Sequence, residues 1–324
     1  MAAPFRLGLV GAGRMGRTHL RALAGSELVT IAAIAEPAPH ARESVAAAGV
    51  PVHASVAEML ERSAPDGVLI AAPSDLHGHI IAEVAAGGFP ILCEKPCGVS
   101  SAQASAAART AQAAGVRLQI AYWRRYVPAL QALREQIAAG DLGEIHLLSC
   151  YQWDEAPPAA AFRAHSGGIF IDMGVHEFDQ LRWLTGQDIG TVHAVAAGLP
   201  GTEAVRGDVD SAELIAELSG GTVGFVSLGR YHPPGDMAAA EVFGTGGTVR
   251  CDFLDPADGE RAQLDALRRQ AEDFAATAGG AGSGNGANGG AGSGQGGGAT
   301  AADAVAALEA AEQATAAVPA LASP

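Results

Sequence analysis

The chain has 324 residues, and 35 acidic against 20 basic side chains give it a formal net charge of −15. That length suits two domains with separate cores, and that charge excludes the polyanion binding of a basic nucleic-acid or membrane-surface protein. Apolar runs such as 67–73 and 80–86 fall short of the about 20 residues a spanning helix needs. No charged-then-apolar leader is legible at the N-terminus and four scattered cysteines make no disulfide scaffold, so the expectation is a cytoplasmic protein with no membrane partner.

In chain order, residues 5–10, 28–34, 67–72, 89–93 and 116–121 read as buried strands, with a weaker one near 50–53. Helical stretches at 14–25, 38–48, 55–62, 77–87 and 100–114 alternate with them. This alternation predicts βαβ units and a doubly wound parallel sheet over residues 1–122. After a helix near 128–139 the runs lengthen, at 144–152, 190–198, 209–218, 222–230 and 239–251, with a helical stretch at 169–184. Together with the Gly-rich turns at 219–221 and 244–247, this predicts an α+β domain on a mostly antiparallel open sheet over 123–262. Residues 263–324 are expected to be C-terminal helices broken by a flexible Gly/Ser/Asn loop at 279–298. The fold class is therefore α/β in the first domain and α+β in the second.

Gly11-Ala12-Gly13-Arg14-Met15-Gly16 places G-x-G-x-x-G between the first strand and the first helix. The first glycine allows a tight turn, the second lets backbone approach a pyrophosphate, and the third lets helix and strand pack closely. The helix N-terminus then offers free N–H groups to phosphate. Glu36 follows the second strand, where a carboxylate accepts the ribose hydroxyls and repels a 2′-phosphate. NAD is expected over NADP, although Arg14 and Arg42 are cations near the place a 2′-phosphate would occupy. Pro73 and Ser74, after the fourth strand, are read as lining the cofactor. His77, just beyond, reads as a hydrogen-bonded turn imidazole ahead of a catalytic one.

The chain holds a single lysine, Lys95, among 19 arginines. It lies in Cys93-Glu94-Lys95-Pro96 at the carboxyl end of the fifth strand, where ligands of such sheets bind. Lysine can shed its proton where arginine cannot. Glu94 and Lys95 are also placed beside the cofactor, and Pro96 admits a cis bond before it. Cys93 and Cys97 read as packing thiols. Asp172, His176 and Asp179 are spaced i, i+4, i+7, one face of an α-helix, opposite the apolar Ile169, Met173, Phe178 and Leu181. That stripe is either a solvated face or a proton-transfer group, the latter requiring Lys95 to meet Asp172 and His176. A metal reading lacks ligands, since D-x-x-x-H supplies two and no further Cys/His pair has metal spacing. Asp208 and Asp210 read as turn residues.

Gly-Ala-Gly-Arg-Met-Gly at 11–16, Glu-Lys-Pro at 94–96 and Gly-Gly-x-x-x-Asp-x-x-x-His at 167–176 together resemble the Gfo/Idh/MocA oxidoreductases. Trp123-Arg124-Arg125-Tyr126, Trp153-Asp154-Glu155-Ala156-Pro157-Pro158 and His176-Glu177-Phe178-Asp179 are similar to segments of the inositol 2-dehydrogenase branch. The resemblance implies reversible hydride transfer between a secondary alcohol of a cyclitol or sugar and nicotinamide C4. It implies a proton relay of Lys95, Asp172 and His176, with either Lys95 or His176 as the immediate base. Arg125, Asp154, Asp172, His176 and Asp179 would contact the polyol substrate. A homo-dimer or homo-tetramer through the C-terminal sheet is also implied.

Two departures stand out. A Tyr-Gly-Tyr-Asp-Gln-Arg-like stretch of that branch is replaced by Pro233-Pro234-Gly235-Asp236-Met237-Ala238-Ala239-Ala240, and its aromatic C-terminal region by the Gly-rich segment. The competing readings are a glycoside or sugar 3-dehydrogenase that retains its NAD, a non-enzymatic NAD(H)-sensing regulator, and a metal-dependent hydrolase or lyase.

Overall fold

The computed structural model describes residues 3–198, 205, 207–278 and 298–318. The chain divides into two compact units. The first comprises Met1–Gly98, Ala102–Trp123 and Leu264–Ala304; the second comprises Val99–Ser101, Arg124–Gln263 and Val305–Pro324. The C-terminal stretch is thus apportioned between both.

The first unit holds β1 (Phe5–Val10), α1 (Arg14–Leu23), β2 (Val29–Ala35), α2 (Pro39–Val45), β3 (Val52–His53), α3 (Val56–Ser63), β4 (Gly67–Ile70), α4 (His77–Ala86), β5 (Ile91–Glu94), all of α5 (Ser101–Ala113) but its first residue, and β6 (Leu118–Ala121). The seven-stranded sheet runs β13-β6-β5-β4-β1-β2-β3, where β13 is Ala299–Thr300. Strands β1 to β6 pair in parallel, and β13 adds antiparallel to β6. Its central strands have helices on both faces and so carry no polar alternation: every residue of β4 and β5 is buried. Leu7, Leu9, Ile34, Leu69 and Leu92 form the core together with Ala271 and Phe274 of α9 (Gly259–Ala278). Phe274 meets Phe5 edge-on at 6.1 Å between ring centroids. The two-residue β13 is too short to leave a periodicity in the sequence.

The second unit holds α6 (Pro128–Ala139), β7 (Ile145–Trp153), a short α7 (Ala160–Arg163), α8 (Val175–Thr185), β8 (Ile189–Ala197), β9 (Ser211–Leu218), β10 (Val223–Gly229), β11 (Met237–Gly244) and β12 (Gly247–Leu254). Proline opens α6 at a position where its missing N–H costs nothing. The sheet order is β12-β11-β7-β10-β9-β8, antiparallel except for the β7–β10 pair. Helices α6 and α8 pack on one face. On β9 this gives strict alternation, with Ala212, Leu214, Ala216 and Leu218 buried and Ile215 and Glu217 exposed.

Two expectations are refined. The run at 239–251 is two strands, β11 and β12, reversed at Gly244–Gly247 where backbone crowds against Leu142. The stretch 169–184 is not one α-helix, because Phe170–Gly174 forms a π-helical turn ahead of α8. The last of the C-terminal helices expected over 263–324 is α10 (Ala301–Ala317). Within the second unit its Glu312 accepts from the N–H and hydroxyl of Ser101, at 2.8 and 2.7 Å. The Gly-rich loop expected at 279–298 lies, but for Gly298, outside the described residues.

Candidate active site

In the first unit the turn between β1 and α1 is built by its glycines. Gly11 has φ +97°, and a Cβ there would lie 2.6 Å from the Ala71 carbonyl at the end of β4. A Cβ on Gly16 would lie 2.1 Å from the Gly11 carbonyl, so the third glycine admits the turn's own backbone. Gly13 is different, with nothing within 4 Å of its Cβ position. Its open side is where a diphosphate can approach bare backbone, beside the N–H groups that begin α1. Arg14 is exposed and Met15 half-buried beside it.

Glu36 stands one residue past β2 and is buried. Its carboxylate accepts from Ala12 N at 2.8 Å and Ala38 N at 2.9 Å, which ties the strand end to the glycine turn. Arg42 donates to the carbonyls of Glu36 and Pro37 at 3.0 and 2.8 Å, so its guanidinium is committed to backbone. The glycine turn, its open face and this carboxylate together fit the diphosphate and adenosine ribose of NAD.

The Lys95 segment is held by two histidines. His19 of α1 lies 2.6 Å from Glu94 Oε1, with both side chains buried. Burial opposes ionisation of Glu94, but His19 and Lys95 hold its carboxyl below the usual value. Glu94 Oε2 also accepts from Lys95 N at 3.2 Å. The Lys95–Pro96 peptide is cis. His77, fully buried, reaches the carbonyls of Pro96 at 2.8 Å and Ala72 at 2.9 Å, and burial holds its pKa below the ordinary 6.5. Pro73 and Ser74 surface between these points, Pro73 exposed and Ser74 half-buried. Cys93 and Cys97 are buried free thiols.

In the second unit the first two turns of α8 are buried on every side, from Val175 through Leu181. The polar stripe is therefore not a solvated face. Each acidic member has an arginine partner. Arg125 binds Asp179 through Nε at 2.9 Å and Nη2 at 2.5 Å, and Arg124 pairs with the fully buried Glu177 while Nη2 donates to Gln152 at 2.6 Å. Asp172, in the π turn, lies 3.3 Å from Arg230 Nη1. His176 is buried at the second position of α8. Asp154, at the end of β7, accepts from Gln152 at 3.3 Å. Burial pushes its carboxyl pKa up, and Asp236 and Asp172 add to the rise.

A buried ionic group escaped the sequence reading. Asp208 and Asp210, read as turn residues, are buried partners of Arg163, at 2.6 and 3.1 Å, and Asp208 also binds Arg230. The paired charges lie 22 to 47 residues apart in the chain, and no local spacing announces their meeting.

Known proteins match this arrangement along most of the chain. Residues 5–122 match a model of an oxidoreductase family with an NAD-binding Rossmann fold, and residues 130–250 match the GFO/IDH/MocA C-terminal domain. The chain belongs to the Gfo/Idh/MocA oxidoreductase family. It is an NAD-binding enzyme of the class acting on CH–OH donors, related to the inositol dehydrogenases. A rhizopine catabolism protein, MocA, of Rhizobium meliloti is 51% identical over 96% of this chain and 94% of its own. An inositol 2-dehydrogenase of Rhizobium meliloti strain 1021 is 32% identical over 84% and 83%. The crystal structure of a myo-inositol dehydrogenase from Corynebacterium glutamicum superposes with a TM-score of 0.83 at 25% identity, covering 97% of this chain and 96% of that one. Among the described residues of this family member no helix is long and apolar enough to cross a membrane.

Proposed function

We propose that the chain is an NAD-dependent dehydrogenase that oxidises a secondary alcohol of an inositol-like cyclitol or a related sugar, reversibly, with Lys95, Asp172 and His176 as its proton relay. The observation that carries this reading is that an inositol 2-dehydrogenase is 32% identical over 84% of this chain, which has Lys95, Asp172 and His176 in the motifs that resemble that branch. NAD, when bound, supplies the hydride acceptor at nicotinamide C4. Hydride departs readily only as the hydroxyl proton leaves, and a base near neutral pKa at that oxygen contributes about 10²–10⁴-fold. His176 is assigned as the immediate base and Lys95 as stabiliser of the forming alkoxide, with Asp172 orienting the pair.

Asp154 is assigned to a further substrate hydroxyl. A carboxyl whose ionisation burial opposes gains most from a hydroxyl donor. Arg125 and Asp179 spend their fork on each other, so any hydroxyl contact they make is added to an existing pair. Glu36 and the glycine turn are assigned to NAD. A second copy of the chain is proposed to cover the open face of the β7–β12 sheet, where Val195, Ile215, Val223 and Phe243 are exposed. A reducing, cytoplasmic setting is supported by four free buried thiols.

A second reading of the substrate is favoured by the 51% relative, whose name places it in rhizopine catabolism. NADH formation at alkaline pH from myo-inositol, scyllo-inositol, hexoses, glycosides and rhizopine tests both readings. Turnover confined to cyclitols supports the first, and turnover confined to rhizopine the second. No NAD-dependent turnover on any polyol would overturn the proposed chemistry. Lys95→Arg keeps the charge but cannot release a proton, so turnover should fall by about 10²–10⁴-fold. Near-wild-type turnover with an unchanged pH profile would remove Lys95 from the relay.

A further inference from the structure

Arg230 follows β10 directly and is fully buried, the largest side chain so enclosed among the described residues. A guanidinium keeps its charge at any ordinary pH, and enclosing one is tolerated only where carboxylates surround it. Arg230 has two. Its Nη2 donates to Asp208 Oδ1 at 3.1 Å and its Nε lies 3.1 Å from Asp208 Oδ2. Its Nη1 lies 3.3 Å from Asp172 Oδ2. Its backbone N–H donates to the Asp210 carbonyl at 2.9 Å. Behind it, Arg163 binds Asp208 and Asp210 at 2.6 and 3.1 Å.

Two cations and three carboxylates thus form one chain of charge. The side chains of Arg163, Arg230, Asp208 and Asp210 are at most 4% exposed, whereas that of Asp172 is 15% exposed. The buried chain has one end near the surface, and that end is the candidate relay carboxylate. The backbone joins the same two segments. Gly168 has φ +86°, and a Cβ there would lie 2.4 Å from the carbonyl of Gly207, the residue before Asp208. Gly168, four residues before Asp172, is therefore bare because the segment carrying Asp208 lies against it.

We propose that Arg230 is the positioning residue for Asp172, fixing one oxygen of its carboxylate, with Asp208, Asp210 and Arg163 as its anchor. Arginine suits this task because it binds a carboxylate without trading protons with the relay. The inference rests on the reading that Asp172 works in that relay.

The experiment measures kcat and KM with NAD and whichever of myo-inositol or scyllo-inositol turns over, for Arg230→Lys, Asp172→Asn and the double variant. NADH affinity and thermal unfolding are followed in each. Misplacing a reacting group by about 1 Å costs on the order of 10²-fold, so Arg230→Lys should lower kcat about 10–100-fold at unchanged NADH affinity. In the Asp172→Asn background the same change should cost less than about threefold, because a residue acting through Asp172 has nothing left to position. A full second loss in that background, or wild-type kcat for Arg230→Lys, overturns the inference. Wild-type kcat for Asp172→Asn instead overturns the relay reading on which it rests. Should Arg230→Lys not fold, Asp208→Asn takes its place with the same expected non-additivity. A crystal structure of the folded variant decides independently of turnover: Asp172 should leave its present rotamer, and an unmoved carboxylate overturns the inference.

Discussion

Glu36 does two things with one carboxylate. Its oxygens accept from Ala12 and Ala38 at 2.8 and 2.9 Å, so the group that would meet the adenosine ribose also pins the glycine turn. Glu36→Ala leaves a buried N–H of the turn without its acceptor, and a hydrogen bond to a charged group is worth about 1.5–3 kcal/mol. NAD affinity should drop about 10–100-fold by the same arithmetic, with NADP losing far less, as read by NADH and NADPH fluorescence titration. Equal losses for the two cofactors would show that the carboxylate does not discriminate the 2′ position. His77 makes a prediction about pH. Its pKa lies below the ordinary 6.5 in the folded protein, chiefly through burial, so the unfolded chain binds the proton more readily. Stability on this account is fully present above 6.5 and is lost as pH falls from there toward the folded value. His77→Asn should lower Tm at neutral pH but flatten the fall of Tm below pH 6.5 relative to wild type. A parallel fall in both proteins would assign the slope to other groups.

The β1–α1 turn shows how an element divides one motif into separate physical tasks. An alanine at Gly16 would place Cβ 2.1 Å from the Gly11 carbonyl, whereas one at Gly13 would meet nothing within 4 Å. Gly16→Ala must move main chain, and overpacking of this kind costs about 1–3 kcal/mol. Gly13→Ala should leave stability within about 0.5 kcal/mol of wild type, as for other open sites, yet weaken NAD by blocking the approach of the diphosphate. Thermal unfolding and cofactor titration separate the two: Gly16→Ala should lose both, Gly13→Ala only binding. This turn was legible in the sequence because its glycines, strand and helix are contiguous, and so was the parallel sheet, whose fully buried strands read as unbroken apolar runs. The π turn at 170–174 was not legible, because an i, i+4, i+7 spacing looks the same whether one turn holds an extra residue or not. Nor was the Arg163–Asp208–Arg230 group. Charged residues in Gly- and Pro-flanked segments read as solvated turns, and only folding brings three such segments to one buried point.

At the scale of the whole molecule, 324 residues divide into two units, and the six-stranded sheet of the second has helices on one face. The other face carries Val195, Ile215, Val223 and Phe243, from 37% to 68% exposed, beside the ring pair of Tyr151 and Phe225. Registers place Ile215 opposite Phe225 and Phe243 opposite Leu147, so these side chains form one surface across four strands. Large apolar side chains exposed together on one sheet face favour an interaction surface. A second copy is the occupant the proposal commits to. Glu213, Glu217 and Glu241 share this face, and Arg250 pairs with Glu241 there, so an interface between copies has both signs of charge among its apolar side chains. The protein should therefore run as a dimer or tetramer in light scattering, with a Tm that falls on dilution because assembly stabilises the fold by mass action. Ile215→Glu puts a third carboxylate between Glu213 and Glu217 on this face and touches no residue of the helix-covered core. It should yield a folded species of lower mass whose Tm no longer depends on concentration. A wild-type chain that is monomeric at every concentration would instead leave this face to a different partner.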